Sequence, residues 1–153
     1  EFRRVLFRSD SLLRAHPWNF ATKRVELAKL LTTPAFEFDA EFQLPSDCLK
    51  VIKTDDELLP FRIEGKKLLI NTDSVKIEYT ARIEDTTQFD ALFTEALWAK
   101  IAAKLAFNLS DNNGLSQAME QLWRDKLRQA KAMDGQEGTP YPVEADQWLN
   151  VRL

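Results

Sequence analysis

The sequence predicts an α+β fold, in which a small antiparallel β-sheet precedes a long C-terminal antiparallel helix hairpin and an extended C-terminal arm. Three observations indicate this class. Apolar residues recur at every second position in the middle of the chain, as in strands with one buried face. Residues 86–113 then contain neither glycine nor proline, which favours helix. The final segment combines Pro140 and Pro142 with bulky apolar side chains, which favours an extended arm.

The composition is that of one folded domain. The 153 residues carry a formal charge of -3, and 44% of them are hydrophobic. These values suit a domain with a core and exclude disorder of the whole chain. No apolar run approaches the roughly 20 residues of a membrane helix, so no membrane partner is expected. The single cysteine, Cys48, cannot form an intrachain disulfide, and the acidic balance does not favour wrapping of a nucleic acid.

The first nine residues, EFRRVLFRS, differ from the rest of the chain. Three arginines alternate with apolar residues in an otherwise acidic sequence, and Arg4 and Arg8 interrupt the apolar core that a signal peptide needs. The stretch resembles a translated sequencing adapter. We therefore interpret residues 1–9 as an adapter or cloning scar, and we expect residues 10–153 to form a single domain whose native beginning is missing.

Residues 10–17 are predicted to end a helix, and residues 18–83 to be mainly β. In the segment DSLLRAHP, the apolar residues favour a helix that Pro17 stops. The next segment, WNFATKRVELAKLLTTP, fits either a strand or a helix. We prefer an extended start for it.

Three later segments have strand patterns. In FEFDAEFQLP, every second residue from Phe36 to Leu44 is apolar, which predicts a strand closed by Pro45. PFRIEGKKLLI predicts a hairpin that turns at Glu64 and Gly65. SVKIEYTARI alternates again, so the middle of the chain is predicted to be a small antiparallel sheet.

Residues 87–134 are predicted to form the helix hairpin, with Thr86 or Thr87 as the cap of its first helix. Two adjacent apolar stripes leave that helix only a narrow polar edge, so most of its surface needs cover. We expect the sheet and one other helix to supply only part of this cover. A subunit interface is therefore predicted on the first helix, at Trp98, Ala99 and Ala103.

Residues 135–153 are predicted to form the arm. Burial of its tryptophan and aliphatic residues would contribute several kcal/mol, at about 25 cal/mol per Å2 of apolar surface. We expect the arm to dock, and the sequence leaves open whether it docks on its own body or on a neighbour. The predicted partner contacts of the arm are Pro140, Tyr141, Pro142, Trp148 and Leu149.

Residues that could carry chemistry are few. His16 stands at a helix end, where a structural hydrogen bond is expected, and Cys48 is expected to be half-buried. The run from Asp55 to Glu57 lacks the glycine and the spacing of a calcium loop, so we interpret it as a solvated turn. The four glycines form no phosphate-binding loop. The sequence therefore predicts no catalytic, cofactor-binding or metal-binding residues and no enzyme activity.

Several segments resemble a known family. They are LLRAHPWNFATKRVELA, FQLPSDCLKV, the FRIEG hairpin, IEYTARI, FDALFTEALWAKIAAKLA and AMEQLWRDKLRQAKAMDGQEGTP. Together they make nearly all of residues 10–153 similar to the tail tubular protein A-like, head-to-tail adaptor proteins of short-tailed bacteriophages and their prophage relatives. The helices with which that family begins are expected to be missing from this chain.

The resemblance implies a structural virion protein that has neither enzymatic activity nor a cofactor. Copies of such a protein form a ring, typically a dodecamer, that joins the portal protein to the tail nozzle protein. DNA passes through the lumen of the ring without specific binding. The implied location is the head–tail junction of the virion tail, and assembly takes place in the host cytoplasm.

The apolar helix, the apolar arm and the acidic charge agree with a ring that conducts DNA. A tightly packed monomer with a self-docked arm is the simpler alternative. Two other functions stay open. A non-virion, prophage-encoded binding or regulatory module would need a basic groove, and a small carboxylate-dependent hydrolase would need Asp55, Asp56 or Glu84 in one pocket.

Overall fold

The structure, a computed structural model, describes residues 9–109 and 113–138. Its first element is a helix, α1, of which residues 9–13 are described. Leu12 and Leu13 of α1 are buried, and the helix ends in a turn before Pro17. This end agrees with the prediction, because a proline disfavours helical backbone in the residue that precedes it.

Six strands follow in chain order: β1 (Thr22–Glu26), β2 (Ala40–Gln43), β3 (Cys48–Thr54), β4 (Phe61–Glu64), β5 (Lys67–Ile70) and β6 (Lys76–Ala81). They form two antiparallel sheets of three strands, with the orders β1-β6-β3 and β2-β5-β4. The predicted α+β class with antiparallel pairing is confirmed, and the strands are divided between two sheets. The sheets meet where Leu30 N–H donates to Glu41 O (2.8 Å), because the chain beyond β1 pairs with β2 there.

The segment that begins at Trp18 was expected to start in an extended conformation, but its first residues form a turn. Residues Asn19–Ala21 form one 3-10 turn, and β1 starts only at Thr22. Trp18 is completely buried, and its indole N–H donates to Leu12 O (3.0 Å). The chain therefore bends at this point to place the indole against α1 before it extends.

The predicted strand from Phe36 to Leu44 is shorter in the structure. Only Ala40–Gln43 is strand, and Phe36 is 77% exposed. Glu37 has a positive φ of 72°, which turns the backbone and separates Phe36 from the buried alternating residues that follow. By contrast, the hairpin of β4 and β5 is confirmed. Its turn residues are Gly65 and Lys66, one position later than predicted, because Glu64 still pairs with Lys67. The φ of 60° at Gly65 suits glycine.

The helix hairpin is also confirmed. Helix α2 (Ala91–Leu109) and helix α3 (Asn113–Asp134) run antiparallel, with Glu95 in the first half of α2 bound to Lys126 in the second half of α3 (2.7 Å). The predicted cap at Thr86 or Thr87 is wrong. Those residues belong to a separate 3-10 turn, and α2 is capped by Asp90, whose Oδ1 accepts hydrogen bonds from Leu92 N (2.8 Å) and Phe93 N (3.1 Å).

One core joins the two sheets to the helices. Its fully buried large side chains come from α1, both sheets and α2, and they include Leu13, Trp18, Phe42, Leu68, Ile77 and Phe93. Because Ala130 of α3 belongs to the same cluster, the hairpin packs on the body through both of its helices. Among the described residues, no helix is long and apolar enough to cross a bilayer.

Candidate assembly surface

An aromatic cluster fixes α2 on the body of the protein. The ring of Phe93 lies 5.0 Å from the rings of Trp18, Phe20 and Phe89, in edge-to-face geometry. Aromatic pairs at this distance and angle are worth about 0.5–1.5 kcal/mol beyond the area that they bury. The orientation of α2 about its own axis is therefore set by Phe93, which is completely buried.

A second side of α2 is covered by α3. Glu95 binds Lys126, and Lys100 lies 5.5 Å from the centroid of the Trp123 ring. Ala99 and Ala103 lie between Glu95 and Lys100 around the helix and are 9% and 6% exposed. These alanines were predicted to contact a neighbouring subunit, but α3 of the same chain occupies that position, because small side chains let the two helices approach closely.

The outward side of α2 carries an apolar stripe. It repeats at three- and four-residue spacing, which keeps residues on one side of a helix. We call it the outer stripe, and its members are Ala91, Thr94, Trp98, Ala102 and Leu105. Trp98 is 67% exposed and Leu105 is 45% exposed. The predicted surface residue Trp98 is thus accessible, and Leu105 joins it on the same side.

Two charged residues of α2, Glu95 and Lys100, are engaged inside the chain. Glu95 binds Lys126 of α3, and Lys100 donates to Ser11 Oγ in α1 (2.7 Å). Burial, and then the charge of Lys104, lower the pKa of Lys100. Glu95 is the charged neighbour of Trp98 on the helix surface, and it turns towards α3. The middle of the outer stripe therefore consists of Trp98 and uncharged side chains. Such an uncharged tryptophan is typical of the centre of an interface.

The far end of the hairpin is open. A cleft of about 840 Å3 separates the helices there, and Phe107 and Ala103 of α2 line it together with Gln117 and Glu120 of α3. Phe107 is 77% exposed. This end therefore adds apolar surface beyond the outer stripe. Sequence periodicity did not separate Phe107 from the buried residues of α2.

The predicted contacts of the arm lie outside the described residues. These are Pro140, Tyr141, Pro142, Trp148 and Leu149. The part of the predicted site that the structure describes is therefore the surface of α2. There, Trp98 is exposed, whereas Ala99 and Ala103 are covered.

His16 has the structural role that its position predicts. Its Nε2 lies 2.8 Å from Asp134 Oδ2, at the last residue of α3. The other carboxylate oxygen of Asp134 accepts from Asn19 N (2.9 Å), and the Asn19 side-chain amide donates to Asp134 O (2.6 Å). We call these contacts the Asp134 clamp. They hold the end of α3 against the turn that follows α1.

Two of the three carboxylates considered for hydrolysis, Asp55 and Asp56, have structural partners. Asp55 Oδ1 accepts from Lys76 N (3.1 Å), and Asp56 Oδ1 accepts from Leu58 N (3.0 Å), so each shapes the backbone of a loop. Within residues 9–109 and 113–138, no three His, Cys, Asp or Glu side chains are grouped to hold a metal ion. At half-buried Cys48, burial and then the charge of Asp47 raise the pKa of the thiol, which disfavours the thiolate.

Three of the four basic residues of α3 are matched by carboxylates. Arg124 binds Glu120 (3.3 Å), and Arg128 binds Asp125 (3.0 Å). Lys126 binds Glu95 across the hairpin. These pairs alternate charge of both signs along α3, which differs from the single-signed stripe that a nucleic-acid backbone attracts.

In comparisons with known proteins, no family model matches this chain, and no curated protein sequence matches it.

Proposed function

We propose that this protein is a structural subunit of a ring-shaped head-to-tail adaptor, which joins the portal of a short-tailed phage or prophage to its tail nozzle. The observation that carries the proposal is the uncharged outer stripe around Trp98, on a helix that the body and α3 cover on two other sides. An exposed apolar surface of this kind marks a contact with another protein. The resemblance of the sequence segments to the adaptor family supplies the kind of assembly.

A ring of identical copies places one surface of each copy against a different surface of the next. The outer stripe could be one of these two surfaces. The open end of the hairpin around Phe107 is apolar and could be the second. The formal charge of -3 per copy supports the proposed lumen, because negative charge repels the phosphates of passing DNA. In this role the protein has no catalytic step, and its site is the head–tail junction of the virion.

Binding to the portal tests the proposal. The purified chain is mixed with the portal protein of the same genome, and the mixture is sedimented through a gradient and imaged by negative-stain electron microscopy. We expect the chain to co-sediment with the portal as a stacked ring. Sedimentation of the chain apart from the portal at every concentration would contradict the proposed function.

Trp98→Asp and a matched control locate the contact. Trp98→Asp puts a charge in the middle of the outer stripe and should abolish ring formation and co-sedimentation. Because Trp98 is exposed, the free energy of unfolding should change by no more than about 0.5 kcal/mol. Phe36→Asp places the same charge at another exposed aromatic residue, outside the helices, and should assemble normally. Normal rings from the Trp98 variant would refute the assignment of this surface.

A further inference from the structure

Strand β4 is the edge of its sheet and is exposed along its whole length. All four residues of Phe61–Glu64 are exposed, and among the described strands only β5 pairs with it. At the edge of an antiparallel sheet, alternate residues direct their N–H and C=O groups outward, where another chain can pair with them. The free edge of β4 is thus a template for one more strand.

The apolar face of this sheet continues onto β4 but loses its cover there. Phe61 lies opposite Ile70, and Ile63 lies opposite Leu68. Residues opposite each other share a face of the sheet. Ile70 and Leu68 are at most 1% exposed, whereas Phe61 is 38% and Ile63 is 43% exposed. A strand added beyond β4 would cover Phe61 and Ile63 if its own side chains on that face were apolar.

Residues 148–153 of the chain have the pattern that this position needs. They lie within residues 139–153, outside the described part, and read Trp-Leu-Asn-Val-Arg-Leu. Leu149, Val151 and Leu153 therefore alternate with Asn150 and Arg152, which is the period of a strand with one apolar face. We propose that residues 148–153 of a neighbouring copy add to β4 as the fourth strand of the sheet.

Charge selects the register of this added strand. Arg62, in the middle of β4, binds Glu37 of its own chain (2.9 Å). A register that set Arg152 opposite Arg62 would place like charges in contact, which is unfavourable. Asn150 opposite Arg62 avoids this repulsion.

This register brings apolar residues together in either strand direction. With Asn150 in the middle, Leu149 and Val151 lie opposite Phe61 and Ile63, whether the added strand runs parallel or antiparallel to β4. The side chains that cover the exposed face are then aliphatic. Val151 is opposite Ile63 in the parallel arrangement and opposite Phe61 in the antiparallel one.

The end of α3 and β4 belong to different parts of the fold. The Asp134 clamp holds this end beside Asn19, directly before the sheet of β1, whereas β4 is the edge of the other sheet farthest from the junction with β1. The contact rests on the proposed assembly of copies, and it uses a surface separate from the outer stripe.

Disulfide trapping between two differently labelled copies tests the contact. In a Cys48→Ala background, one copy carries Ile63→Cys or Phe61→Cys, and the other carries Val151→Cys. Mixing and oxidation should give a covalent dimer with one of the two β4 variants. Its yield should exceed by more than about ten-fold that of a Leu31→Cys control, because a docked strand raises the effective concentration of the two thiols. Leu31 is fully exposed and lies outside the strands.

Placing both cysteines in one chain shows whether the added strand comes from a neighbouring copy or from the same chain. A ladder of covalent oligomers is expected if neighbouring copies exchange the segment, and a disulfide-closed monomer would overturn the proposal in favour of the same chain. Dimer yields equal to the Leu31→Cys control would also overturn it. Disulfide trapping without portal binding would support the added strand and refute the adaptor function. Portal binding without disulfide trapping would support the adaptor function and refute the added strand.

Discussion

Trp18 is the largest of the fully buried side chains in the described protein, and it connects three elements. Its indole N–H donates to Leu12 O in α1, and its ring packs edge-on against Phe93 of α2 and lies 4.8 Å from the ring of His16. Removing the ring would leave a large cavity, and Leu12 O would keep only the hydrogen bond from Ala15 N (3.1 Å).

Trp18→Ala should therefore lower the free energy of unfolding by about 3–5 kcal/mol, measured by urea denaturation. Trp18→Phe keeps most of the apolar volume but loses the N–H donor, so its cost should be smaller, about 1–2 kcal/mol. Trp98→Ala is the matched control, because it makes a similar change at an exposed site and should cost no more than about 0.5 kcal/mol. Equal losses at Trp18 and Trp98 would contradict their different burial.

Asp47 ties two strands of the first sheet together. Its Oδ2 lies 2.9 Å from Lys23 Nζ in β1, and its Oδ1 accepts from the Tyr79 hydroxyl in β6 (3.2 Å). Burial raises the pKa of Asp47, but the bonds from Lys23 and Tyr79 together outweigh burial and hold this pKa below its ordinary value. Burial and then the Asp47 charge raise the pKa of Tyr79 to about 12.

The lowered pKa of Asp47 fixes the sign of a pH dependence. A carboxyl with a lower pKa in the folded state stabilises the fold above its unfolded pKa of about 3.9, and this contribution is lost as the pH falls through the folded value. Asp47→Asn should thus destabilise the protein at neutral pH by about 1 kcal/mol. The difference from the wild type should shrink below about pH 4. Urea midpoints over this range would show it, and a constant difference would refute the assignment.

At the scale of elements, the start of α2 depends on a single side chain. Asp90 satisfies two backbone N–H groups that the first turn of a helix leaves without partners. Asp90→Ala should lower the free energy of unfolding by about 1 kcal/mol, and Asp90→Ser should retain most of it. Thr86→Ala is the control, since Thr86 belongs to the separate 3-10 turn. A loss at Thr86 that matched the loss at Asp90 would contradict the cap.

The sequence predicted some strands and missed others, and the difference depends on how regularly the strands pair. The turn signal around Gly65 predicted the hairpin of β4 and β5, whose two strands pair without a bulge. Alternation missed β3, whose pairing with β6 shifts register between Cys48 and Lys50 and again between Val51 and Lys53. Each bulge resets the order of inward and outward residues, so β3 lacks a constant period.

The candidate surface on α2 was predicted only in part, because the covering of each side of α2 depends on how other elements pack against it. Trp98 could be found as a large residue on the side of a helix that its neighbours do not cover. The direction of Glu95, which neighbours Trp98 on the helix surface, depends on where α3 packs, because Glu95 binds Lys126 of α3. The sequence could show that Ala99 and Ala103 need a close neighbour, but not that α3 is this neighbour.

At the scale of the whole molecule, the Asp134 clamp joins positions 118 residues apart. It anchors the last turn of α3. Asp134→Ala removes the carboxylate that His16 and Asn19 share. We expect faster hydrogen–deuterium exchange in the last turns of α3, with little change in α2. Unchanged exchange at the end of α3 would show that the clamp does not hold it.

The central claim is that copies of this protein assemble into a closed ring through the outer stripe. Native mass spectrometry of the purified chain over a range of concentrations tests it most directly. The account predicts one dominant oligomer at an integer multiple of 17.7 kDa, twelvefold if the resemblance to adaptors holds, and its loss in Trp98→Asp but not in Phe36→Asp. A mass of 17.7 kDa at every concentration, or an open series of masses without a preferred size, would contradict it.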